Sequence, residues 1–419
     1  MPSNWTKTQH NQPKPTGPLS GVKVLDMSRI LAAPSCTQIL GDLGADVIKI
    51  ERPAQGDDIR NWGPPFLKDM NGVETGESGY YLSTGRNKRS VCLDFSKAEG
   101  RELLLKLISE CDIFVENYKV DGLKKYKLDF ASLKAAYPSL IYCSVTGYGQ
   151  TGPYAHLPGY DMVAQSLGGL ISITGEEGRP PAKVPIAIDD IMTGMYACIG
   201  ILAALRHRDL TGIGQQIDLA LLDVQVAWLY NQGVNYFLDG KIPERLGTGH
   251  PNIVPYQIFE TSDGMMLLGI GNDSHFERFC DFVQRRDLLV HPSFETNKAR
   301  VQNRAVVNAE IATIIATNTT DFWVSEFSKL KLVCSKVNNV AEAMSDPQVL
   351  ARNIITQMGH PLTGDEPVNL IASPLKLSET PVNYRHPPPT LGQHTDDVMR
   401  DILKLSEAEI TALKESQII

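Results

Sequence analysis

The chain has 419 residues, enough for two or three domains and for a core that needs no disulfide staples. Apolar residues make up 42% and charged residues 21%, a balance ordinary for a soluble globular protein. Its 40 basic and 48 acidic side chains give a net charge of −8, which disfavours a broad phosphate-binding surface and hence a nucleic-acid partner.

Residues 1–17 form a polar arm with Pro13, Pro15 and Gly17. It has neither an apolar signal core nor the arginines of a mitochondrial presequence, so no targeting segment is expected. Val22 to Met27 reads as a buried strand. Pro34 to Leu43 reads as a helix, with proline in its first turn and Gly44 just past its end. Asp46 to Glu51 is a second apolar strand. Strand, helix and strand within thirty residues make a βαβ unit and predict a parallel sheet.

The alternation continues through Ser90–Phe95 (strand), Lys97–Glu110 (amphipathic helix), Asp112–Glu116 and Leu140–Val145 (strands). The fold class is therefore α/β: a large domain with a Rossmann-like parallel sheet. Val184–Ile188 reads as another strand. A helix from about Ile191 to Arg208 is apolar nearly all round and is expected to be deeply buried. No apolar stretch approaches the roughly 18–20 residues of a membrane span, so no membrane is expected.

Gln216–Leu219 is a short strand, and Leu221–Phe237 a second apolar helix. After Gly240 the texture changes to short strands and turns, as in a smaller α+β domain. The tail carries Pro387, Pro388 and Pro389 and then a helix from Thr395. The expected organisation is an arm (1–17), a large Rossmann-like domain (18–225), a linker helix and turn (226–245), a small α+β domain (246–337) and a C-terminal segment (338–419).

Motif searches are mostly negative. The turn Met27–Pro34 has no glycine fingerprint, so NAD and FAD are disfavoured although Glu51 ends the second strand. Walker A, HExxH, GxSxG and protein-kinase motifs are missing. Seven cysteines form no CxxC pair, and nine scattered histidines offer no ligand spacing. Neither a disulfide framework nor a metal site is expected. The chemistry must come from carboxylates, glycine turns and single basic groups.

One carboxylate pair stands out. Asp189-Asp190 opens the apolar helix, and its plain reading is an N-cap whose charge complements the helix dipole. Capping by one residue leaves the other free to face a cleft. A carboxylate at a helix N-terminus is expected to stay ionised, as a nucleophile must.

Several segments together resemble the class III coenzyme A transferases, the family of formyl-CoA transferase and the carnitine CoA-transferases. They are Pro18–Asp26 (PLSGVKVLD), Leu43–Pro53 (LGADVIKIERP), Asn87–Ser90 (NKRS), Val115–Tyr118 (VENY), Asp190–Met195 (DIMTGM) and Leu391–Asp396 (LGQHTD). The resemblance covers almost the whole chain beyond residue 17. It implies that Asp190 is the nucleophile, forming first an anhydride and then an aspartyl-CoA thioester. Coenzyme A thioesters would be co-substrates, with no tightly bound cofactor. Arg29, Arg52, Leu93, Asn117 and Lys125 would contact CoA, and Gly247 and Gly249 fall where relatives keep a glycine lid. The family also implies an interlocked homodimer, in which both terminal segments share the large domain.

Two positions narrow the reading. The family includes α-methylacyl-CoA racemases, which pair a histidine with the aspartate. Tyr160 stands at that place here, and a phenol is a poor two-way proton carrier near neutrality. Racemisation, and a non-catalytic acyl-CoA-binding protein, are the alternatives. Asp161 follows, where formyl-CoA transferase has a glutamate, and would support the site. Leu31 replaces a glutamine that lies over small acids, which suits a longer acid. Gly56–Arg60 (GDDIR), Trp62–Phe66 (WGPPF) and Ile253–Gln257 (IVPYQ) resemble the succinyl-CoA:glutarate transferases within the family. A C4–C6 dicarboxylate such as glutarate or itaconate is then the expected acceptor and succinyl-CoA the donor. Arg60, Arg86 and Arg245 are candidates for binding a distal carboxylate. The compartment is left between the mitochondrial matrix, by resemblance, and the cytoplasm.

Overall fold

A computed structural model describes residues 17–419, so the expected arm lies outside the described residues except for Gly17. Two compact units emerge. One comprises residues 17–169, Pro185–Gly233 and Leu350–Ile419, and the other Leu170–Val184 and Val234–Val349.

The first unit is built on six parallel strands: β1 (Lys23–Asp26), β2 (Asp46–Glu51), β3 (Lys88–Cys92), β4 (Ile113–Glu116), β5 (Ile141–Thr146) and β6 (Gln216–Ala220). Their order across the sheet is β3-β2-β1-β4-β5-β6, that of a doubly wound fold. Side chains alternate between its two faces, as the pleat requires. Val24, Val47, Ile113, Val115, Ile141 and Cys143 enter one core. Leu25, Ile48, Phe114 and Tyr142 enter the other, with Val398, Met399, Ile410 and Leu413 from the C-terminal helices. The chain's end therefore covers one face of the sheet.

On the first face α1 (Ala32–Asp42) crosses α4 (Ile188–Thr211); α2 (Ala98–Ser109) and α3 (Asp161–Leu167) lie between them in the sequence. The crossing is close. A Cβ on Gly194 would lie 2.0 Å from Ser35 Oγ and 2.5 Å from the Ala32 carbonyl oxygen, so only glycine fits there.

The structure corrects three expectations about this segment. Val184–Ala187 is not a strand; the helix already begins at Ile188. Helix α4 is not buried all round, because only its Asp189, Thr193, Gly194, Ala197, Cys198, Ile201, Ala204 and Leu205 stripe faces the core. Met195, Tyr196, Ile199 and Leu202 are exposed. Finally, α4 is long and apolar enough, by length and composition, to cross a membrane. Its packed stripe identifies it as a core helix of this unit. The helix expected over Leu221–Phe237 is also broken, into Leu221–Ala227 and Tyr230–Asp239, with Tyr230, the first residue of the second, at φ 45°.

The second unit carries a three-stranded antiparallel sheet of Tyr256–Glu260, Met265–Gly269 and Val333–Lys336. Phe259, Met266, Leu268, Phe276, Phe279, Trp323 and Phe327 fill its core. All seven cysteines are free thiols.

A buried web of charge ties the carboxyl ends of β1 and β2 to β3. Lys49 pairs with Asp57 at 2.9 Å, and Lys88 with Asp26 at 3.1 Å. Arg60 bridges Glu51 and Glu77 at 2.7 Å each and also donates to the Tyr81 hydroxyl. Burial alone would raise the Glu51 acid, but Arg60 and Lys49 more than offset it and hold that carboxylate below its usual range. Removing one partner of such a pair leaves a buried charge uncompensated. Arg60→Met should therefore lower unfolding free energy by about 3–5 kcal/mol, read as an earlier chemical-denaturation midpoint of the first unit. An unchanged midpoint would show that Arg60 is not structural.

Candidate functional site

At its carboxyl edge the parallel sheet forms a pocket lined by Ser28 and Arg29 after β1, Arg52, Gly56 and Asp57 after β2, Leu93 and Phe95 after β3, and Tyr118 after β4. This is the topological switch point, where chains leaving β1 and β4 diverge and open a crevice. Asn117 joins the two loops. Its Nδ2 donates to the Arg29 carbonyl at 2.7 Å, and its Oδ1 accepts from the Arg29 amide at 2.9 Å. Asn117 thus holds the Arg29 backbone, and its amide oxygen and nitrogen are both used in doing so.

The next residue, Ile30, sits at φ 71°, a left-handed conformation that a β-branched side chain rarely adopts. Asp57 holds it there by accepting the Ile30 amide at 3.0 Å. Lys49, paired with Asp57, also donates to the Ser28 carbonyl at 2.8 Å. The loop that carries Arg29 is therefore set from below by a buried ion pair.

Arg29 and Arg52 converge on one carboxylate. Asp58 accepts from Arg29 at 3.0 Å and from Arg52 at 2.9 Å. The Arg29 guanidinium also lies 5.4 Å from the centre of the Tyr118 ring. Of the expected CoA contacts, Arg29, Arg52 and Leu93 meet in this pocket and Asn117 supports it. Lys125 is exposed outside the lining, over the Tyr126 ring at 4.7 Å. Leu31 is buried at the N-cap of α1.

The carboxylates form a second cluster in the same unit. The expected cap is wrong: α4 has Ala187 as N-cap, and Asp189 and Asp190 lie inside its first turn. A third carboxylate does the capping. Asp161, which opens α3, accepts the backbone N–H of Asp189 at 2.8 Å and of Asp190 at 3.3 Å. Its other oxygen accepts from Gln165 at 2.6 Å. Tyr160 precedes it as the exposed N-cap residue of α3.

The electrostatics also differ from expectation. Burial, and then the neighbouring Asp161 charge, push Asp190 up to about 7 rather than keeping it fully ionised. Asp189 is pushed to about 8 by burial, Asp161 and Asp190, and both its carboxyl oxygens are buried without a partner. Tyr80, which sequence reasoning missed, is pushed up by burial and then by Asp190 and Asp161, so it lies within electrostatic reach of both. No local signal marks it.

Two of the three arginines considered for a distal carboxylate are engaged elsewhere. Arg60 belongs to the buried web, and Arg86 pairs with buried Asp42 at 2.6 Å. In the second unit, Arg245 donates to the carbonyls of Ser172 and Arg179. Gly247, in that unit, has φ 58°, and a Cβ there would lie 2.6 Å from a Glu176 carboxylate oxygen. Gly249 follows in the same turn, its amide bonded to the Leu246 carbonyl. Among the described residues no group of three or more His, Cys, Asp or Glu is placed to hold a metal ion.

A crevice with two arginines beside aromatic rings, and a desolvated aspartate at a helix start, suit an anionic cofactor and a carboxylate nucleophile. The family model for CoA-transferase family III matches residues 19–395. The chain belongs to this family. It is a CoA-transferase. A succinate–glutarate CoA-transferase of Agrobacterium fabrum is 42% identical over 94% of this chain and 97% of its own length. The human succinyl-CoA:glutarate CoA-transferase is 37% identical, over 99% of this chain and 93% of its own. Among solved structures, a CAIB/BAIF family protein from Brucella suis has a TM-score of 0.81 at 41% identity, covering 92% of this chain and all of that one.

Because the Asp161 charge raises the Asp190 acid, neutralising it should have the opposite effect. Asp161→Asn keeps an oxygen to cap α4 and removes the charge. The Asp190 titration midpoint, followed by carbon-13 NMR of labelled aspartate, should fall below about 7. An unmoved midpoint would leave burial as the sole cause.

Proposed function

We propose that this CoA-transferase moves CoA from succinyl-CoA to a C4–C6 dicarboxylate such as glutarate or itaconate, with Asp190 as nucleophile. The observation that carries the nucleophile is the partly desolvated Asp190 carboxylate in the first turn of a 24-residue helix, steadied through its amide by Asp161. The substrate class is supported by the names of the similar transferases, which act on glutarate.

The chemistry conserves thioester energy, so it needs no ATP. An Asp190 oxygen attacks the succinyl thioester carbon, the C–S bond breaks, and CoA thiolate leaves with the electron pair. The product is a mixed anhydride. Thiolate then attacks the Asp190 carbonyl carbon, succinate departs, and an aspartyl-CoA thioester remains. The acceptor carboxylate attacks that thioester and again expels thiolate. Attack of thiolate on the acceptor's acyl carbon gives the new CoA ester and restores Asp190. No proton is gained or lost overall.

The raised acidity range of Asp190 serves this cycle. A less solvated carboxylate with a higher pKa is a better nucleophile, while at neutral pH a substantial fraction is ionised. Arg29 and Arg52 would hold CoA phosphates, and Leu93, Phe95 and Tyr118 its apolar or adenine portion. Asn117 would act through Arg29 rather than on CoA itself. Lys125 would add charge near the pocket, and Leu31 would favour an aliphatic acid. Gly247 and Gly249 would shape the turn proposed as a lid.

The enzyme is also proposed to be a homodimer. Met195, Tyr196, Ile199 and Leu202 expose an apolar face along α4, and Trp228 and Tyr230 lie exposed in the same unit.

A mass-spectrometric transfer assay tests the chemistry. With succinyl-CoA and a panel of formate, oxalate, glutarate, itaconate, malate and carnitine, glutaryl- or itaconyl-CoA should form. Asp190→Ala should reduce it by at least about 10³-fold, as for loss of a covalent nucleophile. Transfer unchanged in that variant would refute the role of Asp190. Light scattering should give twice 46.1 kDa, and a mass of one chain would refute the dimer.

A further inference from the structure

The two arginines at the pocket already hold an anion. Arg29 and Arg52 reach it from different loops, and each donates to a different oxygen of Asp58, at 3.0 and 2.9 Å. One carboxylate thus bridges two guanidinium groups, the arrangement that a phosphate adopts between two arginines. All three side chains are partly open to solvent, with Arg29 37%, Asp58 40% and Arg52 49% exposed. Ion pairs of that exposure contribute little to stability, so an incoming anion can displace one partner at small cost.

The surrounding residues treat Asp58 differently from the arginines. Asp58 opens a short 3₁₀ turn, Asp58–Asn61, whose ends are anchored without its side chain. Asp57 caps that turn by accepting the Ile59 amide, and Arg60 is locked between Glu51 and Glu77. The Asp58 carboxylate can therefore swing away while its backbone stays in place. Arg29 has no such freedom at its root: Asn117 binds its amide and its carbonyl. The Arg29 Nε is buried and has no partner, so this guanidinium has an unused donor beside the pocket.

We propose that Asp58 is an internal stand-in for a ligand phosphate, bridging Arg29 and Arg52 at the pocket and giving way when a phosphate of CoA arrives. This rests on the reading that the pocket takes the phosphate end of CoA. Asp58 keeps the two guanidinium groups together and charge-compensated between turnovers. Its charge also opposes the phosphate, so it weakens CoA binding and favours product release. Dianionic phosphate displaces it because it brings more charge and more acceptor oxygens than one carboxylate.

Calorimetric titration of CoA and of pantetheine, which lacks the phosphates, tests the proposal with the intact protein. Asp58→Asn removes the charge but keeps the size and one acceptor. It should bind CoA about 3- to 10-fold more tightly, with pantetheine unchanged and the gain shrinking as salt is raised. CoA affinity that is unchanged or weaker in Asp58→Asn would overturn the stand-in role, because Asp58 would then merely position the arginines. Arg52→Ala separates this failure from failure of the underlying reading. If it weakens CoA but not pantetheine while Asp58→Asn fails to tighten CoA, only the stand-in falls. If Arg52→Ala leaves CoA binding untouched, the phosphate assignment falls with it.

Discussion

The pocket depends on the buried ion pair between Lys49 and Asp57. Burial alone would make Lys49 release its proton more readily, but Asp57, Asp26 and Glu51 more than offset this and hold it charged. The pair does more than neutralise itself. Lys49 takes the Ser28 carbonyl and Asp57 takes the Ile30 amide, so two groups of the loop after β1 are bound to the end of β2 and the turn beyond it. Without that hold, a β-branched residue would not be kept at φ 71°, and Arg29 beside it would not be aimed across the sheet edge. A pair of this kind contributes modestly to net stability once desolvation is counted, and its value lies in geometry.

The carboxylate cluster follows a related logic. Asp161 satisfies two amides that helix α4 leaves open at its start, and it brings a negative charge there. That charge is favourable to the helix and unfavourable to Asp190. The same residue therefore steadies the backbone of the proposed nucleophile and raises its pKa. Gly194, one turn further along, lets α4 approach the start of α1, which follows directly on the Arg29 loop. The carboxylate helix and the loop that carries Arg29 are thus joined through a single helix crossing within one unit.

Much of this architecture is legible in the order of the residues. Alternating apolar runs place most strands of the parallel sheet within a few residues, since a half- or fully buried strand has to present side chains to both faces of the pleat. Pro34 and Gly44 bracket α1 for local reasons. Asp190 and the arginines enter through resemblance, and three of the five expected CoA contacts line one pocket. The motif Gly56–Arg60 reads in the chain as a family marker only. Nothing local in it shows that Asp57, Asp58 and Arg60 each have a separate task.

The alternation of strand and helix, the family, and the residue types able to do carboxylate chemistry all follow from the chain alone, because they depend on local periodicity and on short motifs. Which charges are spent internally is a tertiary matter. Arg60 and Arg86 are available cations in the sequence, and folding sets them against Glu51, Glu77 and Asp42. The cap of α4 comes from Asp161, 28 residues away, and not from the adjacent aspartates. The apolar circumference of α4 is visible in the chain, but which half finds a core is not. Such pairings join residues distant in sequence, and their strength depends on burial, which no local pattern of residues encodes.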